Sequence, residues 1–195
     1  VYKRQLLQHE VGTHLLTYFN GRAQPFRQLY AGLAGYEELQ EGLAVLAEYL
    51  VGGLSPRRLR QLAARVVAVG HLIDGASFVD TFRTLNDIHG FDRRSAFSIT
   101  MRVFRGGGLT KDAVYLRGLR GILGYVSGGG RLDPLFVGKI AIDHIPIVED
   151  LRLRRILHAP PVQPFYLQDN QALQRLAELR DGHLTVLDLA LPRRA

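Results

Sequence analysis

The residues His9-Glu10-Val11-Gly12-Thr13-His14 constrain the fold of this chain more than any other stretch of it. Two histidines share a helix face when four residues separate them, because four steps bring the helix to within about 40° of alignment. Here the separation is five, which leaves the imidazoles about 140° apart in a regular helix. If the pair serves one ion, the helix must widen locally. A single π-type turn does that, and such turns are rare and gather at functional sites. Gly12, costly in an ordinary helix interior, eases the distortion. The sequence therefore predicts a bulge between His9 and His14. Glu10 would then face the open side of the ion, placed to take a proton from water.

A chance pattern of this kind is expected in on the order of one chain in a hundred of this composition, so the reading needs a third ligand. The chain has no cysteine, which restricts metal donors to imidazole and carboxylate and rules out a disulfide framework. A catalytic site needs three protein ligands and an open position. The next long helix, expected over about Gly35 to Leu50, carries Glu37, Glu38, Glu41 and Glu48. Glu37 and Glu41 share a face, while Glu38 turns to solvent. Glu41, in Gln40-Glu41-Gly42-Leu43-Ala44, sits among small and apolar residues where an unpaired carboxylate is costly, which makes it the best third ligand. Glu48 or Glu37 is then available to orient a histidine.

Helical signals run through the rest of the chain. The first helix spans about Val1 to Phe19 and stops at Asn20-Gly21, and Gly52-Gly53 closes the second. Ser55-Pro56 reads as cap and first helical residue of a helix to about Ile73. Others follow over about Ser77 to Ile88, ended by Gly90, and over about Arg93 to Phe104, ended by Gly106-Gly107-Gly108. Thr110 caps one reaching about Val126, before Gly128-Gly129-Gly130. Asp133-Pro134 opens a short helix, Pro146 a helix through Arg155, and Asp169-Asn170 a last one to about Arg180. Pro160 to Pro164 reads as an extended linker, and Leu184 to Leu187 as a short strand. The expected fold is mainly α, with little or no β: a single metallopeptidase-like helical domain over residues 1–195. The missing initiator Met and a helical pattern from the first residue suggest a fragment of a longer chain.

Charge adds little. The net charge is +7, but the basic residues are scattered pairs such as Arg57-Arg58, Arg93-Arg94 and Arg154-Arg155, not a dense stripe. No stretch has the length of a membrane span or the pattern of a signal peptide, so the expectation is a cytoplasmic protein without a membrane partner. His71, His89, His144, His158 and His183 lack ligand spacing and read as capping or surface residues.

His9-Glu10-x-x-x-His14 followed by Gln40-Glu41-Gly42-Leu43-Ala44 resembles the bacterial flavohemoglobin expression-modulating QEGLA-motif proteins, which are similar to the microtubule-associated tyrosine carboxypeptidases that remove the C-terminal tyrosine of α-tubulin. Arg102-Val103-Phe104-Arg105-Gly106-Gly107-Gly108 with Thr110-Lys111-Asp112-Ala113-Val114-Tyr115-Leu116 also looks like that family, and the resemblance covers essentially the whole chain. It implies zinc ligation by His9, His14 and Glu41, with Glu10 as the catalytic glutamate. The dipeptidyl peptidases of type III use a similar histidine spacing. Family members carry a substantial portion before the metal helix, which this chain lacks, so part of the substrate cleft is expected to be missing.

The expected activity is zinc-dependent hydrolysis of a C-terminal, tyrosine-like residue from a peptide or protein. Tyr115 is the candidate donor to the developing oxyanion. Arg102, Arg105 and Lys111 are candidates to grip a terminal carboxylate. Two other readings compete: a catalytically silent regulatory module of the same fold, and a basic nucleic-acid-binding domain, which the scattered charge favours less.

Overall fold

The computed structural model describes residues 2–106, 111–182 and 184–190. Val1, Gly107, Gly108, Thr110 and His183, each given a part in the sequence reading, lie outside them. Among the described residues the regular structure is entirely helical, and the chain divides into two compact units. The first comprises Val1–Leu54 and Arg117–Ala195, the second Ser55–Leu116. No helix among the described residues is long and apolar enough to cross a membrane.

In the first unit, α1 (Tyr2–His9) runs into a π turn (Glu10–Leu15) and on into α2 (Leu16–Arg22). His9, Leu15 and Leu16 all keep right-handed helical dihedrals, so the three pieces form one continuous helix widened in its middle. The short α3 (Gln28–Ala31), which has no sequence signal, packs on α2. The long α4 (Tyr36–Leu50) packs against α1 and the π turn. Every residue from Leu39 to Leu50 in α4 is buried, as expected of a helix covered on all sides.

That burial brings α4 against α8 (Lys111–Ser127), whose first residues belong to the second unit and whose remainder belongs to the first. Gly42 and Gly118 meet at the crossing, and a methyl group on either would run into the backbone of the other helix. The glycine of the Gln40-to-Ala44 motif is thus there for close approach of two backbones rather than for flexibility.

Asn20-Gly21 is not the stop it resembles, because the helix continues to Arg22. Asn20 is fully buried; its Nδ2 donates to the carbonyls of Phe136 and Val162, both at 2.9 Å, and its Oδ1 accepts from the Val162 N–H at 3.0 Å. Gly21 leaves room for the backbone around Leu29. Both residues were chosen for tertiary contact, which a local reading takes for helix termination. The proline-rich 160–164 stretch is likewise part of the first unit, tied to α2 by Val162, and His158 exchanges backbone bonds with the Gln24 side chain.

The remaining helices of this unit are α9 (Ile145–Leu153), with Pro146 in its first turn, and α10 (Asn170–Asp181), capped by the Asp169 carboxylate. The α9 helix ends two residues before the expected Arg155, which adopts a positive φ of 58°. The expected strand over Leu184 to Leu187 is absent. Thr185 bonds Asp188 through both its N–H (2.7 Å) and its hydroxyl (2.6 Å), which turns the chain into a short 3₁₀ segment (Asp188–Ala190) instead.

In the second unit, α5 (Pro56–Ile73) starts as predicted, with Ser55 Oγ accepting from the Arg58 N–H. Ser77 and Asp92 cap α6 (Phe78–Arg83) and α7 (Arg93–Phe104) in the same way, satisfying donors the helix cannot. The α6 helix passes into a second π turn (Thr84–Ile88). Ala64, Ala68, Val69, Leu85, Ala96, Ile99 and Val103 form this unit's core.

The glycine crossing is directly testable. Gly42→Ala or Gly118→Ala should destabilise the protein by about 2 kcal/mol or more through overpacking, a fall of at least about 5 °C in melting temperature for a chain of this size. Gly124→Ala on the same α8, where an added Cβ meets nothing within 4 Å, should be neutral or stabilising by up to about 1 kcal/mol. Thermal denaturation of the three variants measures this, and equal effects at all three sites would refute the close-approach account.

Candidate metal centre

The π turn places His9 and His14 on a common side of one helix. Their rings lie 5.3 Å apart, edge to face at 75°. Leu16 N–H reaches the Val11 carbonyl five residues back, the bond that defines the widened turn. Polar side chains stabilise the distortion: the buried Thr13 donates its hydroxyl to the Gln8 carbonyl at 3.1 Å, and the Thr17 hydroxyl lies 2.8 Å from the Thr13 carbonyl. Gly12 contributes by having no side chain where Gln8 stands.

Glu41 comes to this pair from α4. Its Oε2 is 3.6 Å from His9 Nε2 and 3.8 Å from His14 Nε2, and one ligand atom from each of the three residues lies within 4.8 Å of the others. Donors bonded at about 2.0–2.1 Å to a tetrahedral ion stand roughly 3.4 Å apart. The two carboxylate–imidazole separations exceed that by a few tenths of an ångström, and all three donors lie within 4.8 Å of one another, so side-chain rotation would draw them onto an ion. Two imidazoles and one carboxylate, with no thiolate, suit a borderline divalent ion. The donor set and its spacing therefore fit a metal.

The nitrogens facing away from this point are held as well. His9 Nδ1–H donates to Glu48 Oε1 at 2.8 Å, and Glu48 Oε2 accepts from the Gln5 side-chain amide. His14 Nδ1–H points to Gln40 Oε1 at 3.4 Å, which also lies 2.7 Å from the Thr17 hydroxyl. Each imidazole is thus held from behind at Nδ1 with Nε2 turned toward the shared point, the arrangement that orients metal-binding imidazoles. Glu48 fulfils one of the two expectations for such a partner; Glu37 is exposed and does not. Gln40, Gln5 and Thr17 were not singled out from the sequence. The legible signal was Gln40 itself, a polar residue at the head of an otherwise buried run. Glu38, expected in solvent, is half-buried and pairs with Arg117.

Electrostatics follow from burial against charge. Burial alone would lower the His9 pKa, but hydrogen bonds to Glu41 and Glu48 and the charges of both outweigh it and raise it to about 9. His14 is lowered, by burial first and further by the charge of His9, with Glu41 acting in the opposite sense. Glu10 opens the π turn, is exposed, and lies near enough for its charge to be felt at His14. His9 and Glu41 are buried while His14 is half-exposed, so the site opens to solvent on the His14 side.

The other expected site residues belong to the second unit. Tyr115 is buried in α8, Arg105 is exposed just after α7, and Lys111 is exposed at the start of α8. Arg102 directs Nε to both oxygens of the fully buried Asp112, at 2.8 and 3.0 Å. Of the remaining histidines, His144 accepts the Ala141 N–H on its Nδ1 as a capping residue, His89 and His158 are exposed, and His71 is half-buried with its Nδ1 unpartnered.

Comparison with curated proteins and with solved structures gave no significant match. A comparison with protein families did, over residues 2–183, a range that takes in both histidines, Glu10, Glu41 and the Arg102-to-Leu116 segment. The chain belongs to the microtubule-associated tyrosine carboxypeptidase family.

Proposed function

We propose that this protein is a zinc-dependent carboxypeptidase that removes a C-terminal, tyrosine-like residue from a peptide or protein. The observation that carries the reading is the convergence of His9 Nε2, His14 Nε2 and Glu41 Oε2, with both Nδ1 atoms engaged behind them. His9, His14 and Glu41 would hold the zinc, which when bound polarises the scissile carbonyl and lowers the pKa of water beside it. Glu10, exposed at the start of the π turn, takes the proton from the attacking water and delivers it to the leaving amine. Glu48 and Gln40 keep the two imidazoles aimed while that proton moves.

The Arg102-to-Leu116 segment supplies the other assignments, supported by the family's motif there. Tyr115 is the donor to the developing oxyanion, and Arg102, Arg105 and Lys111 are the basic residues offered to the terminal carboxylate.

Glu10→Gln separates the chemistry from metal binding. It should retain about one zinc per chain while cleavage of a tyrosine-ended peptide falls by roughly 10²–10⁴-fold. Glu41→Ala should lose the zinc itself. Metal analysis with mass spectrometry of the digested peptide reads both, and full turnover by Glu10→Gln would remove this glutamate from the mechanism.

The charge balance at His9 predicts opposite pH responses with and without metal. In the metal-free chain His9 has a folded pKa of about 9 against an ordinary 6.5, so its ion pairs contribute their full stability below pH 6.5 and lose it as pH rises through 9. Zinc needs the neutral imidazole, so its affinity should rise with pH across the same window. Melting temperatures from pH 6 to 9.5 in chelator should fall, and the increment added by zinc should grow. A metal-free curve flat across that window would refute the assignment of His9.

A further inference from the structure

The second unit contains an ionic cluster in which Arg65 and Asp112 have no part in the proposed reaction. Asp112, fully buried in the first turn of α8, has both oxygens taken by Arg102 Nε. A second guanidinium stands beside it: Arg65 Nη1, from α5, is 3.6 Å from Asp112 Oδ1, close enough for an ion pair but too long for a hydrogen bond. Arg65 Nε is buried with no partner. The Arg65 side chain is 18% exposed and that of Arg102 is 31% exposed, so both are largely withdrawn from water.

Two guanidiniums against one carboxylate leave a surplus positive charge. An arginine offers five N–H donors, and leaving them unmet in a partly buried place is costly. Burial first, then the charges of Arg102 and Arg58, pull the Arg65 pKa down in spite of Asp112. A planar anion would meet the fork of Arg65 in two parallel bonds, as carboxylates do with arginine.

We propose that Arg65, set beside Arg102 by their shared contact with Asp112, forms an oxyanion site in the second unit whose ligand is the free carboxylate of a peptide C-terminus. Asp112 positions the arginines; Arg65 supplies the donors that remain to be met. The identity of the carboxylate rests on the carboxypeptidase reading above, whereas the anion site rests on the cluster alone.

The test measures binding, not cleavage. A fluorescein-labelled hexapeptide ending in tyrosine, prepared as the free acid and as the carboxamide, is titrated with zinc-treated Glu10→Gln protein and followed by fluorescence anisotropy. The free acid should bind about tenfold or more tightly than the amide, the scale of a charge-assisted hydrogen bond. Arg65→Gln should cut that preference severalfold, and Arg65→Lys, which keeps the charge without the fork, should fall between. Inorganic phosphate should displace the acid and leave the amide bound. Equal binding of acid and amide by the parent protein, or an acid preference left at full size in Arg65→Gln or Arg65→Lys, would overturn the proposal. Because wild-type cleavage is scored separately, an active enzyme blind to the carboxylate refutes this site alone, and an inactive chain with an Arg65-dependent preference refutes the peptidase reading alone.

Discussion

Two hydrogen bonds behind the histidines organise the rest of the first unit: His9 to Glu48 and His14 to Gln40. Both acceptors lie on α4, eight residues apart, and the helix they restrain is the one widened between the histidines. Eight residues carry α4 about 80° past two full turns and about 12 Å along its axis, so Gln40 and Glu48 meet the two histidines from different levels of the helix. Glu41, one residue after Gln40, comes to the same place from the same backbone.

The position of Glu41 is in turn set by the crossing next to it. Gly42 lets the backbone of α4 touch that of α8 at Gly118, so no flexible side chain lies between the two helices at this point. Close-packed backbones transmit position with little compliance, whereas side-chain packing can relax by rotamer changes. The small residues of the Gln40-to-Ala44 motif thus act geometrically, holding a carboxylate at a fixed height on a buried helix.

The π turn, the place of Glu41 beside the two histidines and the capped helix starts at Ser55 and Asp169 were legible because each is a short-range demand. A spacing of five, a carboxylate in an apolar run, and a hydroxyl or carboxylate before a helix can all be read within a few residues. Asn20, Gly21 and Gln40 were misjudged or passed over because their partners lie on other elements, 8 to 142 residues away in sequence. Locally, Asn-Gly looks like a helix stop; in the folded chain it is a buried junction. Arg65 gave no signal at all, since a lone arginine on an amphipathic helix reads as a solvated one until a buried aspartate from another helix is placed beside it. The strand expected near the C-terminus failed because Thr185 found Asp188 three residues on, a local competitor for the backbone donors a strand would need.

The junction at Asn20 bears on the order in which the molecule is completed. The helix bearing both histidines is fastened at its far end by Phe136 and Val162, the latter separated from it by 142 residues. Contacts of such long range form late, after the loop entropy between them has been overcome. The helix that presents His9 and His14 therefore gains its far anchor only once the segments carrying Phe136 and Val162 have been made.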